Sequence, residues 1–80
     1  MNRWCVYILR CTGGFLYTGM TNDLPARVKK HNSGEGAKYT RSHRPVKLVW
    51  SENIRSESAA RKREAEIKKL THKQKQDLIA

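Results

Sequence analysis

RWCVYILRCTGGFLYTGMT, residues 3–21, is the stretch on which the fold turns. Residues 3–10 are rich in aromatic and β-branched side chains, which suit a pleated, half-buried strand. Residues 15–21 have the same character. Thr12-Gly13-Gly14 stands between them, and two short apolar runs around a Gly-Gly turn predict a β-hairpin. The register depends on the loop length. With three loop residues, Thr12 to Gly14, Leu9 faces Tyr17 and Tyr7 faces Gly19. All four then share one side of the sheet, because side chains alternate with period two. Tyr7 and Tyr17 become diagonal neighbours able to serve one site, and Gly19 leaves space opposite Tyr7 for a ligand backbone. With two loop residues the phenols fall on opposite faces. The plainer alternative makes both tyrosines half-buried packing residues.

Beyond the hairpin, Asn22-Asp23-Leu24-Pro25 reads as a helix start. Asn22 or Asp23 caps free amides, and Pro25 is tolerated in the first turn. The helix runs to about Asn32, and Ser33-Gly34-Glu35-Gly36 ends it. Residues 37–44 (AKYTRSHR) read as a basic loop or short helical turn, and 46–54 (VKLVWSENI) as a third strand. Ser56 caps a second long helix over about 57–70. Thr71 and Gln74 have capping-box spacing and open a last helix, 72–79. The order β-β-α-β-α-α predicts an α+β fold, and residues 1–80 leave room for a single domain.

Seventeen Lys and Arg against seven Asp and Glu give a net charge of +10. A polyanion is the natural partner, nucleic acid first. A membrane surface is disfavoured, since no helix joins a broad apolar face to a basic one. Cys5 and Cys11 fall in one strand. Six residues of extended chain span roughly 20 Å, against the roughly 4.4–6.8 Å between Cα atoms that a disulfide requires. Reduced thiols are therefore expected. With no signal peptide, transmembrane run or lipidation motif in view, the expectation is a cytoplasmic protein. The cysteines and His31, His43 and His72 make no zinc-type spacing.

Both long helices carry polar residues where apolar ones belong. In the first, Leu24, Arg27, Val28 and His31 occupy i, i+3, i+4 and i+7, the inward stripe. Arg27 and His31 are one turn apart and project together, unless they snorkel to water from the stripe's edge. In the second, Ala60, Arg63, Glu64 and Ile67 form the stripe. A carboxylate there needs a cation, either a metal or a salt bridge to Arg27, Arg61 or Lys68. Two phenols, an arginine, a histidine and a carboxylate on one sheet face suit phosphodiester hydrolysis. A divalent ion neutralises the phosphate, a guanidinium holds its non-bridging oxygens, and a phenolate or imidazole takes a proton from water.

In these residues the chain resembles the GIY-YIG nuclease family. Cys5-Val6-Tyr7 stands for the first motif and Tyr17-Thr18-Gly19 for the second. Arg27 and His31 follow in the first helix and Glu64 in a later one. Residues 31–41 (HNSGEGAKYTR) and 70–79 (LTHKQKQDLI) resemble the small stand-alone bacterial members. The resemblance implies a three-stranded antiparallel sheet flanked by helices, with one Mg²⁺ or Mn²⁺ ion on Glu64. It further implies Tyr17 as base, Tyr7 positioning water or phosphate, Arg27 stabilising the transition state, and His31 at a position that holds His or Tyr in relatives. The chain departs from the pattern at Cys5, where the first motif has glycine, and at Thr18 inside the second. Met20 stands where some relatives carry lysine.

The expected activity is a metal-dependent endonuclease cutting DNA, acting on branched or damaged structures in repair or recombination. The alternative is a basic nucleic-acid-binding module without catalysis, and a third reading is an RNA- or ribosome-associated structural protein. Lys30, Lys38, Arg41 and Arg44 are expected to contact phosphates, and Tyr39 to stack on a base or pack. DNA is expected ahead of RNA, and a monomer ahead of an oligomer.

Overall fold

The computed structural model describes residues 3–80; residues 1 and 2 of the expected domain span lie outside the described residues. Strands β1 (Trp4–Cys11), β2 (Leu16–Thr21) and β3 (Val46–Ile54) form one antiparallel sheet in the order β2-β1-β3. The helices are α1 (Leu24–Asn32), α2 (Lys38–Arg41), α3 (Glu57–Lys68) and α4 (His72–Ile79). The predicted element order holds, and residues 38–41 take the helical-turn option.

β1 is central because its sequence suits burial on both faces. Cys5 to Leu9 are all buried, so the strand reads as a continuous apolar run and not as an alternation. Val6 and Ile8 meet Ala60 and Ile67 of α3, with Leu78 and Ile79 of α4 packed around them. On the opposite face Tyr7, Leu9 and Cys11 pack with Val46, Tyr17, and Leu24 and Val28 of α1. The sheet is thus sandwiched, with α1 on one side and α3 and α4 on the other. A bulge in β3 offsets the pairing from Ile8–Trp50 to Leu9–Leu48. It breaks the period-two rule locally, so the adjacent Val49 and Trp50 both pack towards the α3 core.

The helix starts form where their caps stand. Asp23 accepts from the Ala26 amide at 3.3 Å, Ser56 from the Ala59 amide at 3.1 Å, and Thr71 and Gln74 complete a reciprocal box. α3 stops at Lys68, two residues short of expectation. The amides of Lys69 and Leu70 bond three residues back, to Glu66 and Ile67, which tightens the last turn before Thr71 restarts the chain.

Candidate active site

The hairpin turn places the phenols. The Cys11 amide donates to the Phe15 carbonyl at 2.7 Å and the Gly14 amide to the Cys11 carbonyl at 3.0 Å, so the loop is Thr12 to Gly14. Gly13 and Gly14 supply the positive φ angles that this loop needs. Tyr7 therefore pairs with Gly19 and Leu9 with Tyr17, and the two tyrosines share one face. The room opposite Tyr7 is not left for a ligand. The Tyr7 ring itself fills it: a Cβ on Gly19 would overlap the Tyr7 hydroxyl and lie 2.6 Å from Cζ. Glycine is needed here because the phenol lies flat across the neighbouring strand.

α1 brings in His31 and Arg27. His31 is 1 % exposed and Tyr7 is 2 % exposed. Tyr7 Oη lies 3.1 Å from His31 Nε2, and His31 Nδ1 lies 2.7 Å from Thr40 Oγ1. The Thr40 hydroxyl donates onward to the Ala37 carbonyl at 2.9 Å. Gly36 allows this closeness, since a Cβ there would overlap His31 Nδ1. Tyr17 sets its ring edge-on to His31, with centroids 5.2 Å apart, while its hydroxyl has no hydrogen-bond partner among the described residues. Arg27 is half-buried and forms no ion pair among the described residues.

Burial pushes the Tyr7 phenol well above its ordinary range. Repulsion from Tyr17 adds to this, and the Arg27 guanidinium offsets only part of it. Tyr7 is therefore a neutral hydroxyl at neutral pH. Burial also pushes His31 below its ordinary 6.5, helped by Arg27, which keeps the imidazole neutral.

The expected gathering on one sheet face does not hold for Glu64, whose helix packs on the far side of the sheet from the phenols. Its helix neighbours Ala60 and Ile67 pack against Val6 and Ile8, opposite the phenols. Yet Glu64 lines a cavity of about 530 Å³ together with Tyr7, Tyr17, Gly19, Arg27 and His31. Trp4 and Met20 line it too. Both belong to the α3 side, so the cavity opens at the edge strand β2, where groups from both faces meet. The Glu64 side chain is 20 % exposed, and its ion partner is Lys68 Nζ at 3.5 Å. Of the other cations considered for it, Arg61 lines the cavity but pairs with Glu57 at 2.7 Å, and Arg27 lines it without forming an ion pair among the described residues.

The outer basic residues divide. Lys30, Lys38 and Arg41 are exposed. Arg44 is tied down, donating to the carbonyls of Arg41 at 3.2 Å and Asn32 at 3.4 Å, which staples α1 to the end of α2. Tyr39 packs its ring nearly parallel to Tyr17 and His43, at 6.1 and 4.7 Å between centroids. Thr40 and Glu35 belong to the site or its wall, and neither was singled out from sequence. A threonine in a basic loop carries no periodic signal that would mark it as a partner of His31.

Fold and cavity together define a class. Residues 3–77 match the GIY-YIG catalytic domain, and the chain belongs to that family. Within it, the chain is 52 % identical over 79 residues to the UPF0213 protein of Staphylococcus epidermidis strain RP62A, covering 99 % of this chain and 96 % of that protein. UPF0213 proteins of Staphylococcus aureus are equally similar. The solution NMR structure of a UPF0213 protein from Bacillus halodurans matches with a TM-score of 0.62 at 44 % identity, covering 96 % of this chain and 82 % of that one. A protein from E. faecalis, also solved by NMR, matches with a TM-score of 0.67 at 41 % identity, covering 99 % and 84 %. No described helix is long and apolar enough to cross a membrane.

Proposed function

We propose that this protein is a divalent-metal-dependent endonuclease that hydrolyses phosphodiester bonds of DNA. The observation that carries the reading is the gathering of Tyr7, Tyr17, Arg27, His31 and Glu64 around one cavity from both faces of the sheet. A merely basic binding surface has no need of a largely covered carboxylate beside two phenols and an unpaired guanidinium.

The donor set fits one hydrated hard cation. Glu64 offers a largely covered carboxylate with a single loose partner. Among the described residues no group of three or more His, Cys, Asp or Glu could hold a metal, so water would supply the remaining ligands, as Mg²⁺ favours. Bound at Glu64, Mg²⁺ or Mn²⁺ would supply charge neutralisation at the scissile phosphate and its leaving oxygen. The protein's own groups do the rest. Arg27 grips the non-bridging oxygens as negative charge builds on them. Tyr17, with its free hydroxyl, orients the phosphate or the attacking water. Tyr7 takes a proton from that water while passing its own to His31 Nε2, so no free phenolate has to form. The resulting hydroxide attacks phosphorus, the P–O bond to the leaving oxygen breaks, and that oxygen takes a proton from solvent. Lys30, Lys38 and Arg41 hold flanking phosphates, which anchors a nucleic-acid strand without reading its sequence.

A nicking assay on supercoiled plasmid with Mg²⁺ or Mn²⁺ tests the reading. The wild type nicks and Glu64→Ala does not. Equal activity in the two would remove the site. DNA binding without nicking under any divalent ion would leave the non-catalytic binding module. Tyr17→Phe and Tyr7→Phe divide the roles: loss in Tyr17→Phe alone would return the base to Tyr17.

A further inference from the structure

The buried chain Tyr7–His31–Thr40–Ala37 extends past the residues that face the cavity. Thr40 is 0 % exposed and comes from α2, a different element from the rest of the site. Its hydroxyl has one proton and two neighbours, His31 Nδ1 at 2.7 Å and the Ala37 carbonyl at 2.9 Å. A carbonyl can only accept. With the Thr40 proton on Ala37, Thr40 Oγ1 must accept from His31 Nδ1–H, and Nε2 is left with a lone pair facing the Tyr7 hydroxyl. All three protons of the chain then have an acceptor inside it. In the reverse arrangement Thr40 donates to Nδ1 and Nε2–H donates to Tyr7. The bond from Thr40 to the Ala37 carbonyl is then lost, and the Tyr7 proton, with no acceptor among the described residues, must turn away from His31 to water in the cavity.

We infer that Thr40 is a positioning residue that holds His31 as the neutral Nδ1–H tautomer, keeping Nε2 free to receive the proton of Tyr7. Its catalytic importance rests on the nuclease reading above, whereas its effect on the imidazole does not. The neighbouring backbone supports the arrangement. Gly36 sits where any Cβ would strike His31 Nδ1, so the loop before α2 closes directly over the ring. Thr40 thereby does for His31 what an orienting group does for any general base: it fixes which nitrogen carries the hydrogen.

Nitrogen-15 NMR of the imidazoles tests this without any activity. The expected wild-type His31 spectrum shows a protonated Nδ1 and an unprotonated Nε2 near neutral pH. Thr40→Ser keeps that signature. Thr40→Val, close to isosteric but without the hydroxyl, moves His31 towards the Nε2–H form or a mixture. In the nicking assay Thr40→Val lowers kcat by about tenfold or more with little change in KM for DNA, and Thr40→Ser restores most of it. An Nε2–H tautomer in the wild type overturns the inference, even if Thr40→Val fails to fold. So does a folded Thr40→Val that keeps the wild-type tautomer. A tautomer shift in Thr40→Val, with no nicking by any variant, upholds the positioning role and removes the nuclease reading instead.

Discussion

The Tyr7 phenol lies across Gly19, its partner on the neighbouring strand, closely enough that no Cβ fits between strand and ring. That contact links the hairpin register to the chemistry, because it fixes where the Tyr7 hydroxyl meets His31. Gly19→Ala should therefore do two things at once. It should cost about 1–3 kcal/mol through overpacking, read as a lower melting temperature. It should also displace Tyr7 Oη from His31 Nε2 and lower nicking well beyond what the lost stability explains. Wild-type activity in a folded Gly19→Ala protein would separate the phenol from catalysis.

Glu64 and Arg27 should fail in different ways. Glu64→Gln keeps the side-chain shape and removes the charge, so nicking should fall about 100-fold or more. DNA affinity and its salt dependence should hardly move. Arg27→Ala should lower nicking by about 10²–10³-fold and also reduce the salt slope of binding by about one, the signature of a lost phosphate contact. Binding titrations at several salt concentrations with both variants decide this.

His31 ties stability to pH. Its folded pKa lies below the unfolded value of 6.5 because burial, and then Arg27, oppose the charged form. Between those two values the unfolded chain binds more protons than the folded one. Stability therefore rises with pH through that window, and is lost as pH falls below about 6.5. The melting temperature should drop on acidification, and less so in His31→Gln. Nicking should share an acidic limb, as protonated His31 cannot accept from Tyr7. In Arg27→Gln the His31 titration followed by NMR should move up.

Thr18 has a fully buried hydroxyl with no partner among the described residues. It stands opposite Ile8, on the side packed by α3. Thr18→Val replaces that hydroxyl with a methyl of similar shape and should stabilise the protein by about 1 kcal/mol, which for a chain this size is roughly 4–8 °C in melting temperature. Unchanged nicking at moderate temperature would show that this residue of the second motif serves packing alone.

Much of this architecture was legible because it is local. Caps at Asp23, Ser56 and Thr71, the Gly-Gly turn, and the helix periods act over three or four residues, and all appear where expected. Arg27, His31 and Glu64 stood out as ionisable groups in apolar stripes, and all three line the cavity. Other features lay beyond local pattern. Tyr39 stood open between stacking on a base and packing, with nothing to mark Tyr17 and His43 as its neighbours, and Arg44 gave no sign that it would bond backbone carbonyls. The β3 bulge likewise hides in a run whose alternation it breaks.

The sequence by itself determined the order of the elements and the polar residues that turn inward, because hydrophobic period and capping chemistry operate within one segment. Only the tertiary structure decided that the hairpin loop has three residues, that Thr40 closes on His31, and that Glu64 joins the phenols from a helix packed on the opposite face. A helix's period says which of its sides is buried; where that side meets a sheet edge depends on packing between segments distant in the chain, which no local pattern encodes.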